Sequence, residues 1–167
     1  MRRSSFPALL AMSAALLLLA SADVRAQANP TTKDGAPLRV AIAGLVHGHA
    51  SGFFSEFQHR TDLHIVGIAE ADRPLAAQYA KKFGLPSDLF YSDLEEILKA
   101  THPQAVLAYA STYDHRRVVE ISARYGIHVM MEKPLAVSLE DALAIEKAAH
   151  AGKTTTGCEK TRVFKVI

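Results

Sequence analysis

The sequence has little cysteine and no strong excess of charge of one sign. Its single thiol, Cys158, excludes an intrachain disulfide, so the hydrophobic core must stabilise the fold without covalent cross-links. The formal net charge of +2 divides into +2 over residues 1–28, +3 over residues 153–167, and therefore −3 between them. This slightly acidic body argues against nucleic-acid binding, which requires a basic face.

Long apolar runs are also missing. The most apolar segment, Ala8–Ala20, is shorter than the roughly 18 residues that a membrane span needs. It follows Arg2 and Arg3 and precedes small residues at 26–28, the order typical of a secretory leader. We therefore predict a signal peptide over residues 1–28 and export to the periplasm. A membrane anchor is the alternative, and the arginine pair leaves both the general and the twin-arginine export routes open.

After the leader, a regular pattern of strands and helices begins. Residues 29–37 contain two prolines and a glycine and are predicted to form a linker. Apolar strands then alternate with helical patterns about five times, with strands predicted at 38–43, 64–69, 89–91, 105–110 and 127–131 and helices at 50–59, 74–83, 93–100, 114–125 and 138–150. This alternation predicts an α/β fold, namely a Rossmann-like, doubly wound parallel sheet in three αβα layers, which forms a single domain over 38–152.

The first strand ends at a glycine, where such a sheet would begin its ligand crevice. A dinucleotide fingerprint of the form G-x-G-x-x-G starting at Gly44 would require glycines at positions 46 and 49, but the chain has Val46 and His49. The strand–turn–helix context still predicts dinucleotide binding, because the amides of the first helical turn can hold a pyrophosphate. The alternative is an α/β domain with a different crevice.

The same turn contains two histidines. His47 and His49 form an H-x-H pair, a spacing that suits zinc when a third ligand is present. The sequence offers no evident third ligand, so we expect no metal site. A metal-binding protein remains an alternative that rests on these histidines alone.

Acidic and basic residues follow two later strands. Glu70 ends the second strand, near the position where a carboxylate accepts hydrogen bonds from the ribose of NAD and repels the 2′-phosphate of NADP. Arg73 lies three residues later and would reverse that preference. After the fifth strand come Glu132, Lys133 and Pro134, and a lysine at the mouth of the crevice suits proton transfer to or from a substrate hydroxyl. A solvated acidic loop and a surface Glu–Lys pair are the plain alternatives.

Taken together, these motifs resemble the Gfo/Idh/MocA oxidoreductases, the group of glucose-fructose oxidoreductase and inositol dehydrogenase. The resemblance covers residues 38–152 and is carried by Gly-Leu-Val-His-Gly-His at 44–49, Thr-Tyr-Asp-His at 112–115 and Gly-Ile-His-Val-Met-Met-Glu-Lys-Pro-Leu-Ala at 126–136. It implies a Rossmann domain that binds NAD or NADP, with NAD slightly favoured by Glu70. It also implies oxidation or reduction of a sugar, polyol or related carbonyl compound.

The resemblance also implies roles for individual residues. Cofactor contacts fall on Gly44, Leu45, Val46 and His47 at the pyrophosphate and its crevice, Glu70 at the ribose, Ser111 and His115 in the rest of the cleft, and Glu132 and Lys133 beside the nicotinamide. Lys133 occupies the position of the catalytic lysine, and no metal is implied.

One departure from the family concerns the end of the sequence. Family members continue into a second domain that forms the substrate pocket and much of the subunit contact, whereas residues 153–167 form an atypical tail with a weak candidate for the sixth strand. We therefore expect a truncated cofactor domain, from a broken reading frame or a shortened gene. It would be unable to turn over substrate alone, and a non-enzymatic nucleotide-binding module is the rival interpretation.

Overall fold

The computed structural model describes residues 35–158. Six strands are present in this part of the chain: β1 (Leu38–Ala43), β2 (Leu63–Ala69), β3 (Phe90–Tyr91), β4 (Ala105–Ala108), β5 (His128–Met131) and β6 (Thr156–Cys158). Five α-helices connect them: α1 (His49–Phe57), α2 (Arg73–Phe83), α3 (Leu94–Thr101), α4 (His115–Arg124) and α5 (Leu139–Gly152). The predicted signal peptide, most of the linker and the tail after Cys158 lie outside the described residues.

The strands form one parallel sheet in the order β3-β2-β1-β4-β5-β6. The predicted doubly wound, Rossmann-like sheet is thereby confirmed. Because β1 pairs with β2 on one side and β4 on the other, the direction of winding reverses between β1 and β4. In sheets of this kind, ligands bind beyond the carboxyl ends of the two strands at that reversal.

Two hydrophobic clusters cover opposite faces of the sheet. Side chains alternate between the faces along a strand, so Val40 and Ile42 pack with Phe54 of α1 and Tyr79 of α2. Their neighbours on β1, Ala41 and Ala43, join the second cluster, to which α3, α4 and α5 contribute Ile97, Leu98, Val118, Val119 and Ile145. The three-layer αβα arrangement follows from this division.

The sheet extends further along the chain than the sequence pattern indicates. Thr156–Cys158 pairs in parallel with Val129–Met131, so the domain continues beyond residue 152, the limit expected from the sequence. Thr154, Thr156 and Gly157 are buried although none of them is a large apolar residue. Threonine suits a strand because of its branched β-carbon. Hydrogen bonding to the existing edge strand β5 stabilises β6, which has little hydrophobic side-chain surface of its own. None of the described helices is both long and apolar enough to cross a membrane.

The last helix begins as the sequence predicts. The Ser138 hydroxyl accepts a hydrogen bond from the amide of Asp141 at 3.1 Å and donates one to the Asp141 carboxylate at 2.7 Å. The Ser138 hydroxyl and Arg116 lower the pKa of Asp141, in that order of influence. Stability from this acid is therefore present above its ordinary pKa and lost as the pH falls through the lowered value.

Ser138→Ala is expected to lower the free energy of unfolding by about 1 kcal/mol, the usual contribution of a serine cap. Urea denaturation at neutral pH measures the difference. Ser55→Ala is the matched control, because Ser55 lies exposed inside α1 and its hydroxyl donates a hydrogen bond to the carbonyl of Ser51, within the same helix. Alanine favours a helix interior, so the control should be neutral or slightly more stable. Equal effects of the two substitutions would show that the cap is not stabilising.

Candidate functional site

The turn between β1 and α1 lies at the reversal point of the sheet. Gly44 has φ +77°, a conformation that side chains other than glycine rarely adopt. A Cβ atom at this position would lie 2.6 Å from the Ala110 Cα, so the backbone after β4 leaves no room for one. Position 44 therefore requires glycine for two reasons: its positive φ and its close packing against Ala110.

The turn that follows Gly44 presents the start of α1 to the crevice. Val46 is 60% exposed, and Gly48 and His49 are exposed as well. The N-cap residue of α1 is Gly48, which has no side chain to cap the helix; His47 Nδ1 accepts a hydrogen bond from the His49 amide, and the first turn of α1 contains no acid. The positive end of the helix dipole and the remaining amides of this turn suit an anion such as a pyrophosphate. The residues present fit a dinucleotide at this point.

Glu70 stabilises this turn from the end of β2. One carboxylate oxygen accepts a hydrogen bond from the Leu45 amide at 2.8 Å, and the other accepts one from the Asp72 amide at 2.9 Å. The side chain is 7% exposed. Sequence reasoning assigned this acid to a ribose, whereas its contacts in the structure are with the protein backbone. Nothing in the spacing of the sequence indicates those two amides.

His47, His49 and Glu132 lie together at the mouth of the crevice. The His49 Nδ1 atom is 2.8 Å from Glu132 Oε1, and one donor atom from each of the three residues lies within 4.8 Å of the others. Glu132 is 2% exposed, whereas 54% of the His49 side chain is exposed. Glu132 is thus a third possible ligand that the sequence did not indicate, because it is close to the two histidines in space and distant in sequence.

The other site residues predicted from the sequence, Lys133, Ser111 and His115, range from exposed to fully buried. Lys133 is exposed beside buried Glu132, at the carboxyl end of β5. The Ser111 hydroxyl accepts a hydrogen bond from the Tyr113 amide at 3.3 Å, at the start of a short 3₁₀ turn. His115 is 1% exposed, and its Nδ1 lies 3.2 Å from the carbonyl oxygen of Leu135. Burial lowers the pKa of His115, and the ring links α4 to the loop after β5.

Sequence reasoning did not identify two features of this site. The backbone carbonyl of Tyr109, just after β4, accepts a hydrogen bond from the His47 amide at 3.0 Å and holds the turn against the neighbouring strand. A groove of about 470 Å³ adjoins the turn and reaches α2, where Lys82 donates a hydrogen bond to the Ser51 hydroxyl at 2.7 Å. The contact of the Tyr109 carbonyl could not be predicted, because backbone contacts do not depend on which side chain is present. Lys82, by contrast, could be recognised in the sequence as a basic residue near the end of α2.

The sheet order, the glycine turn at the reversal point and the acid-free first turn of α1 define a dinucleotide-binding domain of the Rossmann class. Residues 38–157 match the family model described as "Oxidoreductase family, NAD-binding Rossmann fold", that of the Gfo/Idh/MocA proteins. The chain belongs to this family, and the described domain is the family's NAD-binding domain.

Individual relatives agree with the family match. The chain is 31% identical over 106 residues to the D-glucoside 3-dehydrogenase of Escherichia coli, covering 64% of this chain and 30% of that protein. It is 32% identical over 87 residues to an inositol 2-dehydrogenase of Burkholderia cenocepacia, covering 52% of this chain and 26% of that protein. The chain therefore spans less than a third of the length of either dehydrogenase.

Solved structures share the fold at lower identity. One is the WlbA dehydrogenase of Chromobacterium violaceum, in complex with NADH and UDP-GlcNAcA, with a TM-score of 0.67, 23% identity and coverage of 78% of this chain and 37% of that one. Another is the biliverdin reductase of Synechocystis sp. PCC 6803, in complex with biliverdin and NADP+, with a TM-score of 0.63, 20% identity and coverage of 74% and 38%. At these identities the likeness establishes the fold.

Proposed function

We propose that this chain is the cofactor domain of an exported oxidoreductase that acts on CH–OH groups of a sugar, a polyol or a related compound. The observation that carries the proposal is the crevice between β1 and β4, where Gly44 packs against Ala110 and the first turn of α1 is exposed and contains no acid. Bound there, a nicotinamide dinucleotide would supply hydride transfer.

The exposed turn is the part of the domain that suits the pyrophosphate. In this proposal Gly44, Leu45 and Val46 approach the phosphates through their backbone, and His47 lines the same crevice. Two hydrogen bonds hold the backbone of the turn in place: the Leu45 amide donates to the Glu70 carboxylate, and the His47 amide donates to the Tyr109 carbonyl. A rigid turn avoids the cost of ordering a loop when the cofactor binds.

The remaining cofactor contacts extend along the carboxyl ends of β4 and β5. Ser111 and His115 form the part of the cleft after β4, and Glu132 and Lys133 would lie beside the nicotinamide. Lys133 is exposed, so its side-chain nitrogen can reach a substrate hydroxyl as the catalytic lysine, while Glu132 is held in the protein. In its neutral amine form the lysine would accept the proton of that hydroxyl.

We infer a preference for NAD over NADP. The carboxylate of Glu70 lies buried at the end of β2, where its negative charge disfavours a 2′-phosphate. Arg73 is exposed at the start of α2 and is the residue that would favour the phosphate instead. The family relatives include structures solved with NADH and with NADP+, so binding constants for both must be measured on this chain.

The substrate class rests on the relatives. The relatives whose names give an activity include a D-glucoside dehydrogenase and inositol dehydrogenases, which act on polyhydroxylated compounds. Because the chain covers 30% or less of these two proteins, we propose that turnover needs parts that this chain does not match. The rival function is a nucleotide-binding module without catalysis.

Titration of the folded protein with NADH is expected to enhance cofactor fluorescence with a Kd between about 1 μM and 1 mM, the common range for metabolic ligands. Val46→Glu should weaken binding at least about tenfold, because a new negative charge would face the phosphates. Leu143→Glu is the matched control, since Leu143 is 55% exposed on α5, across the sheet, and should leave Kd unchanged.

The same samples test the two competing functions. Binding of NADH without oxidation of glucosides or inositols supports a cofactor domain that is incomplete alone, whereas turnover would show that the chain is a complete enzyme. A folded protein that does not bind either dinucleotide would contradict the proposed function. Export has its own test: the amino terminus of protein recovered from the periplasm should begin at Asn29.

A further inference from the structure

The cluster formed by His47, His49 and Glu132 contains the donor set of many metal sites, namely two imidazoles and one carboxylate. Its residues come from two segments that the parallel sheet brings together. The histidines lie in the turn after β1, and Glu132 directly follows β5. The carboxyl ends of parallel strands meet at one edge, so an 83-residue separation between His49 and Glu132 closes to 2.8 Å.

The distances suit a metal ion with short bonds. Two ligands of a tetrahedral zinc ion lie roughly 3.0–3.4 Å apart, because each bond measures about 2.0–2.1 Å. The 2.8 Å separation of His49 Nδ1 and Glu132 Oε1 is a hydrogen-bond distance slightly below this range, and a bound ion would hold the two atoms a little further apart. The third donor lies within 4.8 Å, and the two imidazole centroids are 4.8 Å apart with their planes at 73°. To complete the set, the His47 ring would move its donor atom closer to the other two.

The hydrogen bonds now present mark the atoms that an ion would use. The His49 amide donates to His47 Nδ1 at 3.2 Å, so that nitrogen carries a lone pair, which an ion would take over from the amide. His49 Nδ1 and Glu132 Oε1 lie 2.8 Å apart, and a cation between them would replace this contact.

Burial and access also suit a site of this kind. Glu132 is 2% exposed, so its carboxylate is already desolvated and fixed by its surroundings, whereas the exposed side of His49 leaves a path from solvent. A carboxylate in an apolar environment gains more from a nearby cation than one in water does. Three protein ligands and an open side would leave a fourth position for water or an alcohol oxygen.

We propose that His47, His49 and Glu132 form a Zn²⁺ site at the mouth of the crevice. Imidazole and carboxylate ligands favour zinc over magnesium or calcium, which take oxygen ligands. The proposal goes beyond the cofactor-domain function, because it requires neither a dinucleotide nor turnover.

The test is a titration of the full chain, expressed without a histidine tag and treated with chelator, with ZnCl₂ by calorimetry. We expect one ion per chain. His49→Ala and His47→Ala should each weaken binding by at least about tenfold, the loss that even an outer partner of a metal ligand causes. Glu132→Gln should weaken zinc binding by a similar factor. Because the Glu132 side chain is buried, circular dichroism must show that this variant is folded.

Matched controls are available within the same chain. His59 and His64 are exposed and lie outside the cluster, so alanine at either position should leave zinc binding unchanged. Cobalt(II) provides a second measurement, because nitrogen and oxygen ligands give visible d–d bands without a thiolate charge-transfer band. Such a band would point to Cys158, whose pKa is raised by burial and then by the charge of Glu132.

Three results would overturn the proposal: no stoichiometric zinc binding by the folded chain, equal loss of binding in the His59→Ala control, or a thiolate band with cobalt. Each differs from failure of the cofactor function. If the chain binds zinc but not NADH, the metal-site proposal stands and the cofactor proposal fails. If it binds NADH but not zinc, the cofactor proposal stands and the metal-site proposal fails.

Discussion

Gly44→Ala is expected to lower the free energy of unfolding by roughly 3–5 kcal/mol, combining a disfavoured positive φ with an overpacked contact. The Cβ would meet backbone atoms of Ala110 at 2.6–2.9 Å, and backbone has no rotamer by which to escape. Either the turn moves away from β4 or the strand ends separate. NADH binding should fall below detection in any fraction that still folds.

The control for this substitution is another glycine of the same segment. Gly52 lies inside α1 with no atom within 4 Å of a Cβ among the described residues, and its φ is helical. Gly52→Ala should therefore raise the free energy of unfolding by about 0.5–1 kcal/mol. Denaturant unfolding of both variants gives the comparison, and a Gly44→Ala protein as stable as the wild type would show that the turn is not under this constraint.

Glu70→Ala is expected to lower the free energy of unfolding by roughly 2–6 kcal/mol, because the amides of Leu45 and Asp72 would each lose a charged acceptor, at about 1–3 kcal/mol per bond. Glu70→Gln retains one acceptor oxygen and should cost about half as much. Hydrogen exchange at the Leu45 amide should accelerate in both variants. Glu96→Ala, an exposed position on α3, serves as the control and should change stability by about 0.5 kcal/mol or less.

This substitution also separates two roles of the same carboxylate. If Glu70 only stabilises the turn, the variants should lose affinity for NADH and NADPH by the same factor. If it also repels a 2′-phosphate, as proposed, the ratio of the two Kd values should shift towards NADPH. Unchanged stability would show that water replaces the carboxylate at both amides and would remove the structural role.

The periodicity of the sequence was sufficient to predict most of the fold. Strands such as Leu38–Ala43 are short and apolar, helices such as α5 carry a capping serine, and the alternation of the two specifies a parallel sheet. Local chemistry explains this success, because caps, glycines and apolar spacing act within a few residues. Strand β6 was recognised only as weak, since Thr156–Cys158 has no apolar pattern of its own.

The candidate site was predicted less completely. Residues near strand ends were correctly placed at one edge of the sheet, and Gly44 was identified as the turn glycine. The contacts of Glu70 were not foreseen, because its partners are backbone amides that every residue possesses. His115 was expected in the cleft and is 1% exposed, since packing of α4 against the loop after β5 decides its burial.

By itself the sequence determined the class of the sheet, the position of the turn and the family, because these depend on local pattern and on motifs. Only the tertiary structure decided which distant groups meet. Pairing of β1 with β4 brings Gly44 against Ala110, and pairing of β4 with β5 brings Glu132 to His49. Such contacts depend on the order and register of strands, which no short stretch of sequence encodes.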